Sequence, residues 1–136
     1  MEANPKVRVL LVDDEPDLLG PIAYWLEANG YLVTAVNNGE AAVISVQEDA
    51  PDLMFLDIQM PGGIDGLEAL RRIRQFNPKL PIIMLTAAYQ TKMYFTKASE
   101  AGASGFFPKT GSPQELIQII RTTLRVHGMS KPEQPS

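Results

Sequence analysis

Cysteine is absent from this 136-residue chain, and histidine occurs once. Without cysteine there is no disulfide, no thiolate metal site and no cysteine nucleophile. Basic residues are outnumbered, 12 against 16 acidic ones, for a net charge of −4. A nucleic-acid-binding domain normally carries a basic face, so direct DNA or RNA binding is not expected. No apolar run approaches the ~18 residues that would suggest a membrane span. The N-terminus, Met1-Glu2-Ala3-Asn4-Pro5, has no signal-peptide pattern. What is present is 45% hydrophobic and 21% charged, the make-up of an ordinary soluble domain long enough to bury a core. The expected setting is the cytoplasm.

Apolar runs cut short by breakers recur along the chain. Lys6 to Val12, Tyr31 to Val36, Asp52 to Asp57, Ile82 to Leu85 (ending at Thr86) and Ser104 to Phe107 read as strands, the last a short edge strand. Between them lie helical patterns. The first starts near Pro16, with Pro21 predicting a kink or a late start, and stops at Asn29-Gly30. Others run over Glu40 to Glu48, from an Asp65 cap with Glu68 completing a capping box, and over Gln90 to Ala101. On the third, Leu67, Leu70 and Ile73 form the inner face and Arg71, Arg72 and Arg74 the outer one. A last helix begins at Ser112-Pro113 with Glu115 closing a capping box. Leu116, Ile120, Thr123, Leu124 and His127 are read as one face of it, and Gly128 as its stop. Five strands alternating with five helices predict a doubly wound parallel sheet in an α/β fold. Residues 1–5 are expected to be disordered, 6–128 to form the domain, and 129–136 to be a Pro-rich tail or linker stub.

Right-handed crossovers bring every strand's C-terminal end to one edge of the sheet, where such folds bind ligands. Those ends carry Asp13 and Asp14, Asn37, Asp57, Thr86, and Phe107 with Lys109. Three carboxylates in one crevice repel, and a divalent cation with oxygen ligands would compensate them. Lys109 adds a point charge suited to a carboxylate or a phosphate. A carboxylate can also accept a phosphoryl group, a reaction that needs mainly positioning and charge neutralisation. Asp57 stands alone at its strand end and reads as the acceptor. The adjacent pair Asp13-Asp14 reads as the metal holder.

Asp13-Asp14, Asp57, Thr86 and Lys109, on successive βα units, resemble the receiver domain of two-component response regulators, over roughly residues 6 to 127. The resemblance implies a flavodoxin-like (βα)5 fold of strand order 2-1-3-4-5. It implies that Asp57 takes its phosphoryl group from the phosphohistidine of a sensor histidine kinase or a histidine phosphotransfer protein. Mg2+, for which Mn2+ can substitute, would be ligated by Asp14, Asp57 and the backbone carbonyl of Gln59, with Asp13 acting largely through water. Thr86 and Lys109 would contact the phosphoryl oxygens, and Phe106 matches the switch aromatic. Gln59 and Ala88 would flank the path of attacking water. The face formed by the fourth helix, fifth strand and fifth helix would serve a homodimer, an effector domain or a target protein.

Three features depart from the family pattern. Pro108-Lys109 stands where Lys-Pro is common, which moves any cis peptide to Phe107-Pro108. The Pro61-Gly62-Gly63-Ile64-Asp65-Gly66 turn is one residue longer than usual. The aromatic is Phe106 rather than tyrosine. Taken singly, Asp14 and Glu15 read equally as helix caps, Thr86 as a turn former, Lys109 as a solvated lysine and Phe106 as core. Their conjunction on one sheet edge favours the phosphoacceptor. A haloacid-dehalogenase-type phosphatase would carry a second Asp where Gln59 stands, and a flavodoxin would not repel its flavin phosphate with Asp13-Asp14. Tyr89, Met93, Tyr94 and Phe95 crowd the fourth helix and cannot all face inward, which predicts an apolar patch there. His127 is the only histidine and lies far from the crevice, so the phosphoryl donor must be another molecule. This signalling phosphoacceptor is not expected to be a conventional enzyme.

Overall fold

The computed structural model describes residues 6–87 and 90–127. The expected disordered N-terminus, the Gly128 helix stop, the Pro-rich tail, Ala88 and Tyr89 lie outside the described residues. The elements alternate as β1 (Arg8–Val12), α1 (Pro16–Ala28), β2 (Leu32–Val36), α2 (Gly39–Glu48), β3 (Leu53–Asp57), α3 (Gly66–Phe76), β4 (Ile82–Thr86), α4 (Lys92–Ala101), β5 (Gly105–Pro108) and α5 (Pro113–Val126). All strand pairs are parallel, in the order β2-β1-β3-β4-β5. This is the flavodoxin-like order expected above.

The two-residue period of a strand sorts the core into two layers. Leu10, Val12, Met54, Leu56, Ile82 and Met84 face one side, where they meet Ala42 and Val46 of α2, Leu67, Leu70 and Ile73 of α3, and Ala98 of α4. Val9, Leu11, Leu53, Phe55, Ile83 and Leu85 face the other, against Leu26 of α1 and Leu116, Ile117, Ile120 and Leu124 of α5. Every residue of β3 and β4 is buried. Each such side chain is worth about 1.5–3 kcal/mol of burial against about 1 kcal/mol for a helix cap. The central strands therefore hold the fold, and caps only trim its helices.

Several local expectations are corrected. α1 starts at Pro16 and runs on through Pro21, so there is no late start. Asp17 and Pro21 are both exposed, so the carbonyl left without an N–H partner is on the wet side of the helix. The α3 capping box is only half made: Asp65 Oδ1 accepts from the Glu68 N–H at 2.9 Å. The Glu68 carboxylate turns to Arg72 at 3.0 Å instead of back to the cap. Arg74 is not on the outer face but half-buried. Its Nε donates to Gly102 O and its Nη1 to Asn77 O, both at 2.9 Å, strapping the C-terminal ends of α3 and α4. α4 begins at Lys92 rather than Gln90, because Gln90 belongs to a turn in which its Oε1 accepts from the Ala87 N–H at 2.8 Å. His127 caps α5 and is exposed, leaving the inner face to Leu116, Ile117, Ile120 and Leu124. By contrast, the Ser112–Glu115 capping box is complete. Pro108 falls inside β5, opposite Thr86, and a proline is tolerated there because β5 is an edge strand. The Phe107-Pro108 peptide is trans.

Candidate functional site

β3 ends in a charged residue and β1 and β5 are each followed directly by one, and the parallel register delivers all three to one spot. Asp57 closes β3 with 3% of its surface exposed, and Asp13, directly after β1, is fully buried. Lys109 follows β5, its backbone N–H donating to Thr86 O at 2.8 Å, which locks it to the end of β4. Its Nζ lies 3.0 Å from Asp57 Oδ2, 3.1 Å from Asp13 Oδ2 and 3.0 Å from Glu15 Oε1. One ammonium thus faces three carboxylates. Asp14 joins the group from the loop: Asp13, Asp14 and Asp57 each offer a carboxylate oxygen within 4.8 Å of the others.

The backbone contributes as well. Asp13 Oδ1 accepts from the Glu15 N–H at 2.9 Å and Asp57 Oδ1 from the Gln59 N–H at 3.3 Å. Thr86, 6% exposed, directs its hydroxyl to Phe107 O over a long 3.4 Å. Phe106 is half-buried and meets the Phe95 ring edge-to-face at 4.9 Å between centroids. Phe106 is thus a half-buried ring packed on α4, one residue from the strand's buried Phe107.

Electrostatics follow from burial. Desolvation, reinforced by the neighbouring Asp13, pushes the Asp57 carboxyl up to about 6, against the opposing pull of Lys109 and the Gln59 amide. Burial likewise raises Asp13, with the Glu15 amide and Lys109 acting the other way. Burial draws Lys109 down, but Glu15, Asp57 and Asp13 together outweigh it and hold the ammonium above its usual value. Among the described residues Asp13 Oδ2 makes no aligned hydrogen bond; its 3.1 Å contact with Lys109 is an ion pair. A buried, unbonded carboxylate oxygen among three clustered carboxylates is a donor set that suits a hard divalent cation.

The sequence profile of the response regulator receiver domain matches residues 9–121. This chain belongs to that family. The receiver domain is 34% identical over 127 residues to the alkaline phosphatase synthesis transcriptional regulatory protein PhoP of Bacillus subtilis, covering 92% of this chain and 51% of PhoP. It is 36% identical over 118 residues to the transcriptional regulatory protein BaeR of Escherichia coli, covering 87% of this chain and 48% of BaeR. It thus spans about half the length of these curated relatives. Among solved structures, it superposes on a CheY-like receiver domain protein of Methanospirillum hungatei with a TM-score of 0.86 at 25% identity, over 91% of this chain and 98% of that one. The receiver domain of NtrX from Brucella abortus gives 0.80 at 30% identity, over 86% and 98%.

The receiver domain therefore brings Asp13, Asp14, Asp57 and Lys109 into one cluster, with Thr86 at its β4 edge. Two participants escaped the sequence reading. Glu15, a helix-cap candidate by its sequence position, makes no side-chain cap bond and goes to Lys109 instead. The signal for it was weak, since an acid before Pro16 is routine at a helix start. Tyr94 was read as part of an apolar crowd, but its hydroxyl accepts from Gln59 Nε2 at 2.8 Å. Nothing in the spacing of residues 59 and 94 announces that bond.

Proposed function

We propose that this receiver domain is a phosphorylation-driven switch in which Asp57 accepts a phosphoryl group from the phosphohistidine of a sensor histidine kinase or histidine phosphotransfer protein. The observation that carries the reading is one ammonium, Lys109 Nζ, 3.0 Å from the nearly buried Asp57 carboxylate at the end of a parallel strand. An Asp57 oxygen forms the O–P bond as the donor's N–P bond breaks, and the imidazole leaves with the electron pair and is protonated. Lys109 is poised to exchange a carboxylate for a phosphoryl oxygen. The Thr86 hydroxyl, on a long bond to Phe107 O, is poised to do the same. Asp14 and Asp57, with the Gln59 backbone carbonyl and with Asp13 acting through water, would hold Mg2+ or Mn2+. That ion would add positive charge against the phosphoryl oxygens.

Phe106 would follow Thr86, and the Phe106–Phe95 contact would carry the change into α4. The α4-β5-α5 face is proposed as the surface read by an output domain, a target protein or a second copy of the chain. Nucleic acid is not a proposed ligand of this domain. The proposed setting is the cytoplasm; among the described residues no helix is long and apolar enough to cross a membrane. Self-phosphorylation and self-dephosphorylation would be slow and confined to the protein itself, so the domain is not proposed as a conventional enzyme.

Incubation with acetyl phosphate and Mg2+ followed by intact-mass measurement tests this. The expected result is one added phosphoryl group in the wild type and none in Asp57→Asn. Rapid multiple turnover, or a yellow cofactor bound without modification, would overturn the reading.

A further inference from the structure

The Gln59–Tyr94 bond joins a residue two places beyond the acceptor to a helix on the receiver's output side, and neither the core nor the proposed phosphoryl transfer requires it. Gln59 has two jobs at once. Its backbone N–H donates to Asp57 Oδ1, which fixes the residue beside the acceptor carboxylate. Its carboxamide donates from Nε2 to Tyr94 Oη at 2.8 Å, across 35 residues of sequence. The bond is part-buried at both ends, where the Tyr94 ring packs on the α2-α3-α4 core layer. A glutamine carboxamide beside a phosphoryl group is chemically suited to orient an attacking water, since it can donate to one oxygen and accept from another. Held on α4, the carboxamide has one end committed elsewhere.

The next residue strengthens the link. Phe95 carries the edge-to-face contact with Phe106, so adjacent positions of α4 touch both the loop that follows the acceptor and the aromatic of β5. The position of α4 thus sets where the Gln59 side chain can be.

We infer that Tyr94 is a positioning residue that restrains the Gln59 carboxamide on α4 and thereby prolongs the life of the Asp57 acyl phosphate. This rests on the acceptor reading above, with Gln59 beside the water path, and adds to it the residue that holds Gln59 in place. Hydrolysis forms a bond from water oxygen to phosphorus and breaks the Asp57 O–P bond, returning the carboxylate, inorganic phosphate and a proton. A partner that binds and displaces α4 would free the Gln59 carboxamide and so shorten the phosphorylated lifetime.

The test is a decay measurement on the whole chain, phosphorylated with acetyl phosphate and Mg2+, stripped of donor, and followed by intact mass. Tyr94→Phe keeps the ring and removes only the hydroxyl. At an acetyl phosphate concentration that drives uptake far faster than loss, it should be phosphorylated as fully as wild type and then, once the donor is removed, lose the group about threefold faster or more, the scale of one net hydrogen bond. In a Gln59→Ala background the same Tyr94→Phe change should have no effect. A Tyr94→Phe decay that equals or is slower than wild type overturns the inference, as does an acceleration that persists without Gln59. A wild-type chain that takes up no phosphate instead removes the acceptor reading and this inference with it. A tyrosine that only fills space would leave the decay rate unmoved, because its ring is retained.

Discussion

Lys109 and Asp57 form the pair on which the site's chemistry and part of its instability both rest. Asp57 is raised in the fold, so between its ordinary value and about 6 the folded chain binds more protons than the unfolded one. Stability must then fall as pH rises through that window. Asp57→Asn removes the charge and should stabilise the protein by on the order of 1–2 kcal/mol at pH 8, with the gain fading towards pH 4. Urea unfolding at the two pH values checks this, and a variant less stable than wild type at pH 8 would refute it. Lys109→Met should do the opposite. Asp13, Glu15 and Asp57 would lose their shared counter-charge, at a cost on the order of 2–3 kcal/mol at pH 8 that shrinks as the carboxylates protonate. The same variant should take up no phosphate from acetyl phosphate.

At the scale of the element, the long turn after β3 acquires a physical account. Ile64 N–H donates to Glu40 Oε2 at 3.1 Å, and that bond holds the Glu40 carboxyl below its usual range. The turn is thus tethered to the first turn of α2, with Ile64 packed against the core. The turn hands over to α3 at Gly66, whose N–H donates to Ile58 O at 2.8 Å. A Cβ there would lie 1.8 Å from Asp57 O, a backbone atom that cannot step aside. Gly66→Ala should therefore displace the acceptor strand end and cost about 2–4 kcal/mol, in line with other overpacking changes. Unfolding midpoints with an unchanged m-value would measure it, and a loss below about 0.5 kcal/mol would contradict the close approach. The crowded aromatics of α4 sort themselves at this scale too. Met93 is 63% exposed, Tyr94 turns to Gln59 and Phe95 to Phe106, so much of the expected apolar patch is spent internally.

For the molecule as a whole, Asp13, Asp14, Glu15 and Asp57 gather at the top of the sheet around one ammonium, Lys109, so acidic groups outnumber basic ones there. Anything cationic that binds there binds the folded state alone and must stabilise it. Mg2+ at about one hundred times its Kd should add roughly 2.7 kcal/mol, seen as a higher melting temperature. Asp14→Asn should abolish most of that increment while leaving the metal-free melting temperature nearly unchanged, because Asp14 is only half-buried. Equal Mg2+ stabilisation in wild type and variant would place the ion elsewhere.

The central strands and the order of elements were readable without coordinates, because a fully buried parallel strand must be apolar throughout and must be cut by breakers. So were Asp13, Asp14, Asp57, Thr86 and Lys109. Parallel topology sends every strand end to one edge, and a polar residue there has no packing reason to exist. What the linear chain could not disclose was partnership across it. Glu15 could go to its own helix or to Lys109, 94 residues away, and only the assembled sheet makes the second distance 3.0 Å. Gln59 could face solvent or α4, and Arg74 could lie on the outside of its helix or strap two helix ends together. Local pattern records which face of an element is apolar, since burial is an average over many contacts. The direction of one long polar side chain depends on a single partner, and that partner is chosen by tertiary structure.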